Sequence, residues 1–171
     1  EVMPGQWEFQ IGYRGIKGEA ADPLSLSDHM WVARYLLNII GEKFGVIVKI
    51  DNKPVKGDWN GAGMHANFST NETRDPKTGM AAIEAAITNL SKHHDDHIRN
   101  YGAGLHERLT GLHETCDIKT FKHGVANRGA SIRIPRNVQS DGYGYFEDRR
   151  PGANADPYVV SYYLLKNACN L

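Results

Sequence analysis

From Met64 to Ser69 the side chains alternate, with Met64, Ala66 and Phe68 set against His65, Asn67 and Ser69. No other feature restricts the fold of this chain as much. Successive residues of a strand point to opposite faces, so a strand here has one apolar side and one polar side. The apolar side requires a packed layer behind it. The polar side lines a cleft or meets solvent, and this segment alone satisfies either. The same rule recurs twice: Ile132 and Ile134 point away from Arg133, and Glu147 shares a face with Arg149.

Helical periodicity supplies the packed layer. Met30, Ala33, Leu36, Leu37 and Ile40 recur at three- and four-residue steps from Asp28, with Ser27 or Asp28 as the cap and Gly45 as the stop. The β-branched run Val46 to Ile50 predicts a strand. A second helix is expected from Met80 through Ile83, Ile87, Leu90, His94 and Ile98 to Tyr101-Gly102, and a last one over Tyr158 to Leu165. Between Gly102 and Gly129 no period is sustained, which predicts irregular loops; Ala130 to Pro135 is a strand signal and Ser140 to Gly144 a turn. Helices and short strands within 171 residues predict a single α+β or α/β domain.

Composition excludes several function classes. Twenty basic and twenty acidic residues give zero net charge, so no long-range field draws in nucleic acid or an acidic membrane. No apolar run approaches the roughly 20 residues that cross a bilayer. Cys116 and Cys169 are too few for a disulfide framework, which points to a reducing compartment and to two ordinary buried thiols.

Three groups of residues could carry chemistry. Glu1 and Glu8 flank Pro4-Gly5, and two carboxylates brought together there would call for a hard cation such as Mg²⁺, although isolated glutamates serve equally as surface charges. Arg128, Arg133, Arg136, Arg149 and Arg150 lie within 23 residues beside Glu147 and Asp148. Planar guanidinium groups match carboxylate or phosphate with paired hydrogen bonds, and a surface ion-pair network would use the same residues. His93, His94 and His97 have zinc-like spacing, but Lys92, Asp95 and Asp96 place them on a charged, solvated face, so a metal reading is set aside.

Six stretches in series resemble the catalytic domain of glutamine synthetase of the eukaryotic type (type II). They are Glu1 to Gln10, Asp28 to Tyr35, Asn60 to His65, Arg108 to Thr115, Gly124 to Arg128 running on to Pro135-Arg136, and Tyr145 to Pro151. The resemblance covers nearly the whole chain. It implies an α+β fold: a curved antiparallel sheet with metal and substrate groups on its concave face and helices packed outside. It further implies that residues 1–171 are one catalytic-domain fragment, without the β-grasp-like N-terminal domain and the first metal-binding strand of the family, and that the isolated piece is inactive.

The implied activity is ATP-dependent ligation of ammonia to the γ-carboxyl of glutamate through γ-glutamyl phosphate. By the resemblance, Glu1 and Glu8 help hold one Mg²⁺ or Mn²⁺ ion and His65 and Glu147 the second; Arg128 stabilises the phosphoryl group in flight; Glu114 closes over the intermediate and helps deprotonate ammonium. Arg108 and Arg149 match the grip on the glutamate carboxylate, with Asn60 and Gly61 at its amino end. Asn67, Ser69, Arg74, Arg133 and Tyr145 match the nucleotide pocket. Glutamate, ammonium and ATP are the expected partners, with self-association into stacked rings whose sites lie between subunits, in the cytoplasm. Tyr13 and the long Arg14 to Ser27 connection depart from the family pattern beside the expected adenine pocket. A related ligase for another amine, a truncated assembly partner and a nucleotide-binding module are the competing expectations.

Overall fold

The computed structural model describes residues 2–12 and 21–171; Glu1, Tyr13 and the Arg14 to Ala20 part of the long connection lie outside them. Four strands form one sheet: β1 (Ala66–Phe68), β2 (His123–Val125), β3 (Ile132–Ile134) and β4 (Phe146–Asp148), in the order β1-β4-β3-β2. The alternation predicted at Met64 to Ser69 holds, because Met64, Ala66 and Phe68 pack against the core. Their side chains are the apolar face.

β4 pairs antiparallel with both β1 and β3, but β2 and β3 run parallel, so the sheet is mixed rather than antiparallel throughout. Parallel neighbours normally need a long crossover. A three-residue strand is only about 7 Å long, so the short segment between Val125 and Ile132 can return the chain to the same end. The register places Asn67 and Arg133 on either side of Glu147.

Six helices, α1 (Pro23–Lys43), α2 (Gly79–Lys92), α3 (His94–Asn100), α4 (Leu105–Arg108), α5 (Arg136–Asp141) and α6 (Pro157–Ala168), account for the rest of the regular structure among the described residues. α1 begins five residues before the predicted start. The Asp22 carboxylate accepts from the backbone N–H groups of Leu24 and Ser25, each at 3.0 Å, and Pro23 suits the first turn because its missing N–H would have no partner there. The predicted second helix breaks at His93 into α2 and α3. Ile83, Ile87 and Leu90 of α2 and Val160 and Leu164 of α6 meet Ile132, Ile134 and Phe146 of the sheet in one core. Each such side chain, fully buried, contributes about 1.5–3 kcal/mol.

Val46 to Ile50 is not a strand. It has no strand partner among the described residues, and Ile47 is 87% exposed. β-branched residues favour strands only where a neighbour accepts the backbone bonds. The apolar period of α1 likewise lies largely open: its buried positions are Ser27, Arg34 and Gly41, while Tyr35, Leu36 and Ile40 are exposed. Cys116 is buried as expected, whereas Cys169 is exposed at the end of α6, where the helix terminates and leaves it uncovered.

Candidate functional site

The polar face of the sheet gathers around Glu147. Its neighbours come from three elements: His65 leads into β1, Arg133 sits at the centre of β3, and Arg149 follows β4. His65 Nδ1 lies 3.1 Å from Glu147 Oε1, Arg149 Nη1 lies 3.1 Å from the same oxygen, and Arg133 Nε stands 2.7 Å from Oε2. Burial pushes the Glu147 carboxyl upward, but the hydrogen bond from His65 and the charges of Arg149 and Arg133 outweigh it and hold the group below the ordinary carboxylate range. Glu147 is therefore ionised at neutral pH.

Arg108 closes the other side of His65. Its Nη2 donates to His65 Nε2 at 2.9 Å and to the Arg149 carbonyl at 3.1 Å, and Nη1 donates to the Arg150 carbonyl at 3.3 Å. A guanidinium can only donate, so Nε2 carries the lone pair and the His65 proton sits on Nδ1, facing Glu147. Desolvation lowers the His65 pKa, Arg108 and Arg149 add to that, and Glu147 opposes it, leaving a neutral ring. Desolvation and nearby Arg149 lower Arg108 to about 10, still charged at neutral pH.

Two glycines make this approach possible. A Cβ at Gly61 would stand 2.6 Å from the Asn52 carbonyl oxygen and 2.8 Å from Arg108 Cγ, and one at Gly63 would stand 2.6 Å from Arg108 Cζ. Neither site has room for a side chain. Gln6 joins the same loop, with its amide nitrogen donating to the Gly61 carbonyl at 3.2 Å and its oxygen accepting from Asn60 Nδ2 at 2.6 Å.

Arg149 also ties down the adjoining loops. Its Nε donates to the Arg128 carbonyl at 3.1 Å and its Nη2 to the Glu114 carbonyl at 3.3 Å. Glu114 and Arg128 form an ion pair at 3.3 Å, both well exposed. His113 and Glu114 hold left-handed backbone angles, φ 50° and 60°, at the tip of a loop pinched at its base by a Thr110–Asp117 bridge. Two successive residues with side chains in that region cost free energy, and such strain concentrates at segments whose conformation matters. His113 Nε2 reaches Asp58 Oδ1 at 3.1 Å, across from the Asn60-Gly61 loop.

Beside this cluster opens a cavity of about 340 Å³ lined by Arg128, Arg133, Arg136, Asn137 and Tyr145 together with Ala126 and Pro135. No acidic residue lines it. Across the whole face, Arg108, Arg133 and Arg149 surround one carboxylate, so positive charge is in surplus and anionic groups are the ligands it suits. Ser69 Oγ accepts from Arg74 Nε at 2.8 Å at the end of the polar strand face.

The expected residues divide accordingly. His65, Arg108, Arg133, Glu147 and Arg149 form one connected cluster, joined through Arg149 to Glu114 and Arg128; Asn67, Asn60, Gly61 and Tyr145 border it. Glu1 lies outside the described residues. Glu8 accepts from Gln10 Nε2 at 3.2 Å, and no three His, Cys, Asp or Glu side chains gather around a cation among the described residues. One carboxylate and one neutral imidazole would provide two of the roughly six ligands that Mg²⁺ takes, and His65 would have to exchange its bonds to Arg108 and Glu147 for the ion.

Arg136, one of the arginines expected to suit anions, joins the cavity. Two features escaped the sequence reading: Gly63 shapes the Arg108 niche, and Asp148, Arg150 and His97 are buried behind the sheet rather than solvated. The alternation rule carried the signal for Asp148 and Arg150, which must face opposite to Glu147 and Arg149.

Residues 1–169 match the family described as glutamine synthetase, catalytic domain. The chain is 54% identical over 169 residues to the glutamine synthetase of Kluyveromyces lactis, covering 99% of this chain and 43% of that protein. It is 57% identical over 167 residues to the chloroplastic glutamine synthetase of Chlamydomonas reinhardtii, covering 97% and 42%, and 55% identical over 161 residues to glutamine synthetase root isozyme 1 of Zea mays, covering 94% and 43%. The chain thus spans less than half the length of these relatives.

Proposed function

Because the chain belongs to the glutamine synthetase catalytic-domain family, we propose that it carries part of the site that ligates ammonia to the γ-carboxyl of glutamate at the expense of ATP. The observation that supports this most is the junction of the Glu147 cluster with the arginine cavity. One half suits an amino acid carboxylate and the other a phosphate chain. A carboxylate resists attack by ammonia because it has no good leaving group, so the γ-carboxylate oxygen first takes the terminal phosphoryl group of ATP and ADP departs. Ammonia then attacks the acyl carbon, the carbon–oxygen bond breaks and phosphate leaves.

Each residue has a task in that sequence. Arg108 and Arg149, held by shared hydrogen bonds, bind and orient the α-carboxylate of glutamate, while Asn60 and the Gly61 carbonyl receive its amino end. Arg133, Tyr145, Asn67, Ser69 and Arg74 border the nucleotide, and Arg128 neutralises charge on the moving phosphoryl group. Glu114 sits on the strained loop, where it closes over the acyl phosphate, excludes water and takes a proton from ammonium. Arg128 pairs with Glu114 in the present conformation, so ligand phosphate competes for it and frees the loop.

Mg²⁺ or Mn²⁺, held by His65 and Glu147 and completed by Glu1, Glu8 and further donors, would neutralise phosphate charge when bound. The site is completed between subunits of a stacked ring, in the cytoplasm, a reducing compartment that suits the two free cysteines. No helix among the described residues is long and apolar enough to cross a membrane.

The test is phosphate release, with ATP and Mg²⁺, by the assembled protein in which this chain is joined to the rest of the length its relatives have, because the chain carries only part of the site. We expect release to require both glutamate and ammonium; release indifferent to glutamate, or faster with a primary amine than with ammonium, overturns the reading.

A further inference from the structure

The reverse side of β4 carries a second acid–arginine pair that the proposed chemistry does not use. Asp148 and Arg150 are both fully buried. Arg150 Nε and backbone N–H donate to Asp148 Oδ1 at 2.9 and 3.0 Å, and Nη2 donates to Oδ2 at 2.7 Å. The remaining guanidinium N–H groups reach α3: Nη1 lies 3.4 Å from His94 Nδ1 and Nη2 lies 3.1 Å from His97 Nδ1. The rings of Tyr101 and Phe121 pack against Arg150, their centroids 5.5 and 5.3 Å from Cζ.

His97 is the fixed point of this network. Burial first, and the charge of Arg150 second, hold its pKa down to about 3, so the ring is neutral. Nδ1 lies 3.1 Å from Arg150 Nη2, which can only donate, and 2.6 Å from the Tyr101 hydroxyl. Nε2 lies 2.8 Å from Asn167 Nδ2 of α6. The network thus ties α3 and α6 to one arginine.

Backbone pairing is sparse at residues 149–150. β4 ends at Asp148, which pairs with Ala66 and Ile132. Beyond it, the Arg149 N–H donates to the Ser131 carbonyl at 2.9 Å, and pairing resumes only at Pro151, whose carbonyl accepts from Met64 at 3.0 Å, and at the Gly63–Gly152 bridge. Yet the carbonyls of Arg149 and Arg150 are the acceptors that seat Arg108. Between those backbone anchors, the side-chain bonds of Arg150 help set the direction of Arg149 and the placement of Arg108.

We propose that His97 and Arg150 are positioning residues for glutamate recognition: anchoring Arg150 to α3 fixes the segment 149–150, and with it the two guanidinium groups that grip the amino acid. This inference rests on the function proposed above. In that reading Arg108 and Arg149 meet the α-carboxylate, and His97 and Arg150 touch no substrate atom. Outer hydrogen-bond partners of this kind typically change affinity or activity by about 10–100-fold when removed.

The test compares KM for glutamate with KM for ATP in the same assembled protein, alongside the melting temperature. His97→Leu removes the Nδ1 acceptor but leaves Arg150 paired with Asp148. The double variant Asp148→Leu/Arg150→Met removes both charges together, so neither is left buried alone. We expect KM for glutamate to rise about tenfold in each, with KM for ATP within about twofold of wild type, and His97→Gln, which restores an acceptor, to recover most of the loss. A folded variant with the wild-type KM for glutamate overturns the proposal. So does a parallel rise in both KM values tracking the melting temperature, or failure of both variants to fold, since each marks a purely structural network. If wild type itself shows no glutamate dependence, the functional reading fails instead.

Discussion

β4 and its continuation carry the same two residue types on each face: Glu147 and Arg149 in front, Asp148 and Arg150 behind. The front pair shares its charges with His65, Arg133 and neighbouring carbonyls at the edge of a cavity. The rear pair is sealed, and its donors are taken up by Asp148 and two histidines. Burial assigns the roles. In front, the buried pair adjoins Arg133 and Arg128, which reach water at the cavity and remain open to an anionic ligand; behind, matched charges without water can only hold position.

The largest effect should separate the faces by stability. Asp148→Ala leaves Arg150 buried without its counter-charge and should cost about 3–5 kcal/mol, whereas Glu147→Gln leaves arginines that still reach carbonyls and solvent and should cost about 1–2 kcal/mol while abolishing ligation. Chemical denaturation measures both. Equal costs would erase the distinction between the faces.

Lower pH probes the rear face next. His97 is held near 3 in the folded state against an ordinary histidine value of about 6.5, so below about pH 6.5 the unfolded chain binds a proton that the folded core refuses. Stability contributed above that pH is lost as pH falls, at about 1.4 kcal/mol per unit for one proton, until about pH 3. His97→Gln should flatten this slope in denaturation midpoints collected between pH 4 and 6; an unchanged slope would show that His97 is not its source.

Gly63→Ala sharpens the front. A methyl group cannot share the niche with Arg108, and the strain should cost about 1–3 kcal/mol and raise KM for glutamate more than KM for ATP. The smallest effect is expected at Glu114→Ala: an exposed ion pair with Arg128 contributes about 0–1 kcal/mol, so the melting temperature should scarcely move while glutamine formation falls. A stability loss as large as that of Asp148→Ala would place Glu114 among the buried structural charges.

The polar face of the sheet was legible because period-two alternation is local. His65 and Asn67, Arg133, and Glu147 with Arg149 all fell on the sides that the pattern requires. His94 fell on the apolar period of the second helix, but the neighbouring Lys92, Asp95 and Asp96 also describe a solvated face, and His97 was not legible as buried until the packing of α3 under Arg150 turned it inward. Val46 to Ile50 failed in the opposite sense. Its residues favour a strand, but a strand requires a neighbouring backbone, and none is present among the described residues.

Sequence alone determined which side of each short strand is apolar and which residue types could bind anions or a cation, because both follow from neighbours one or two positions apart. Tertiary structure decided which charges stay free and which are neutralised, the parallel pairing of β2 with β3, and the convergence of Arg108 on His65 across a glycine niche. Those outcomes depend on burial and on contacts between residues distant along the chain, and the energy of a charge is set by the groups and the water that surround it after folding.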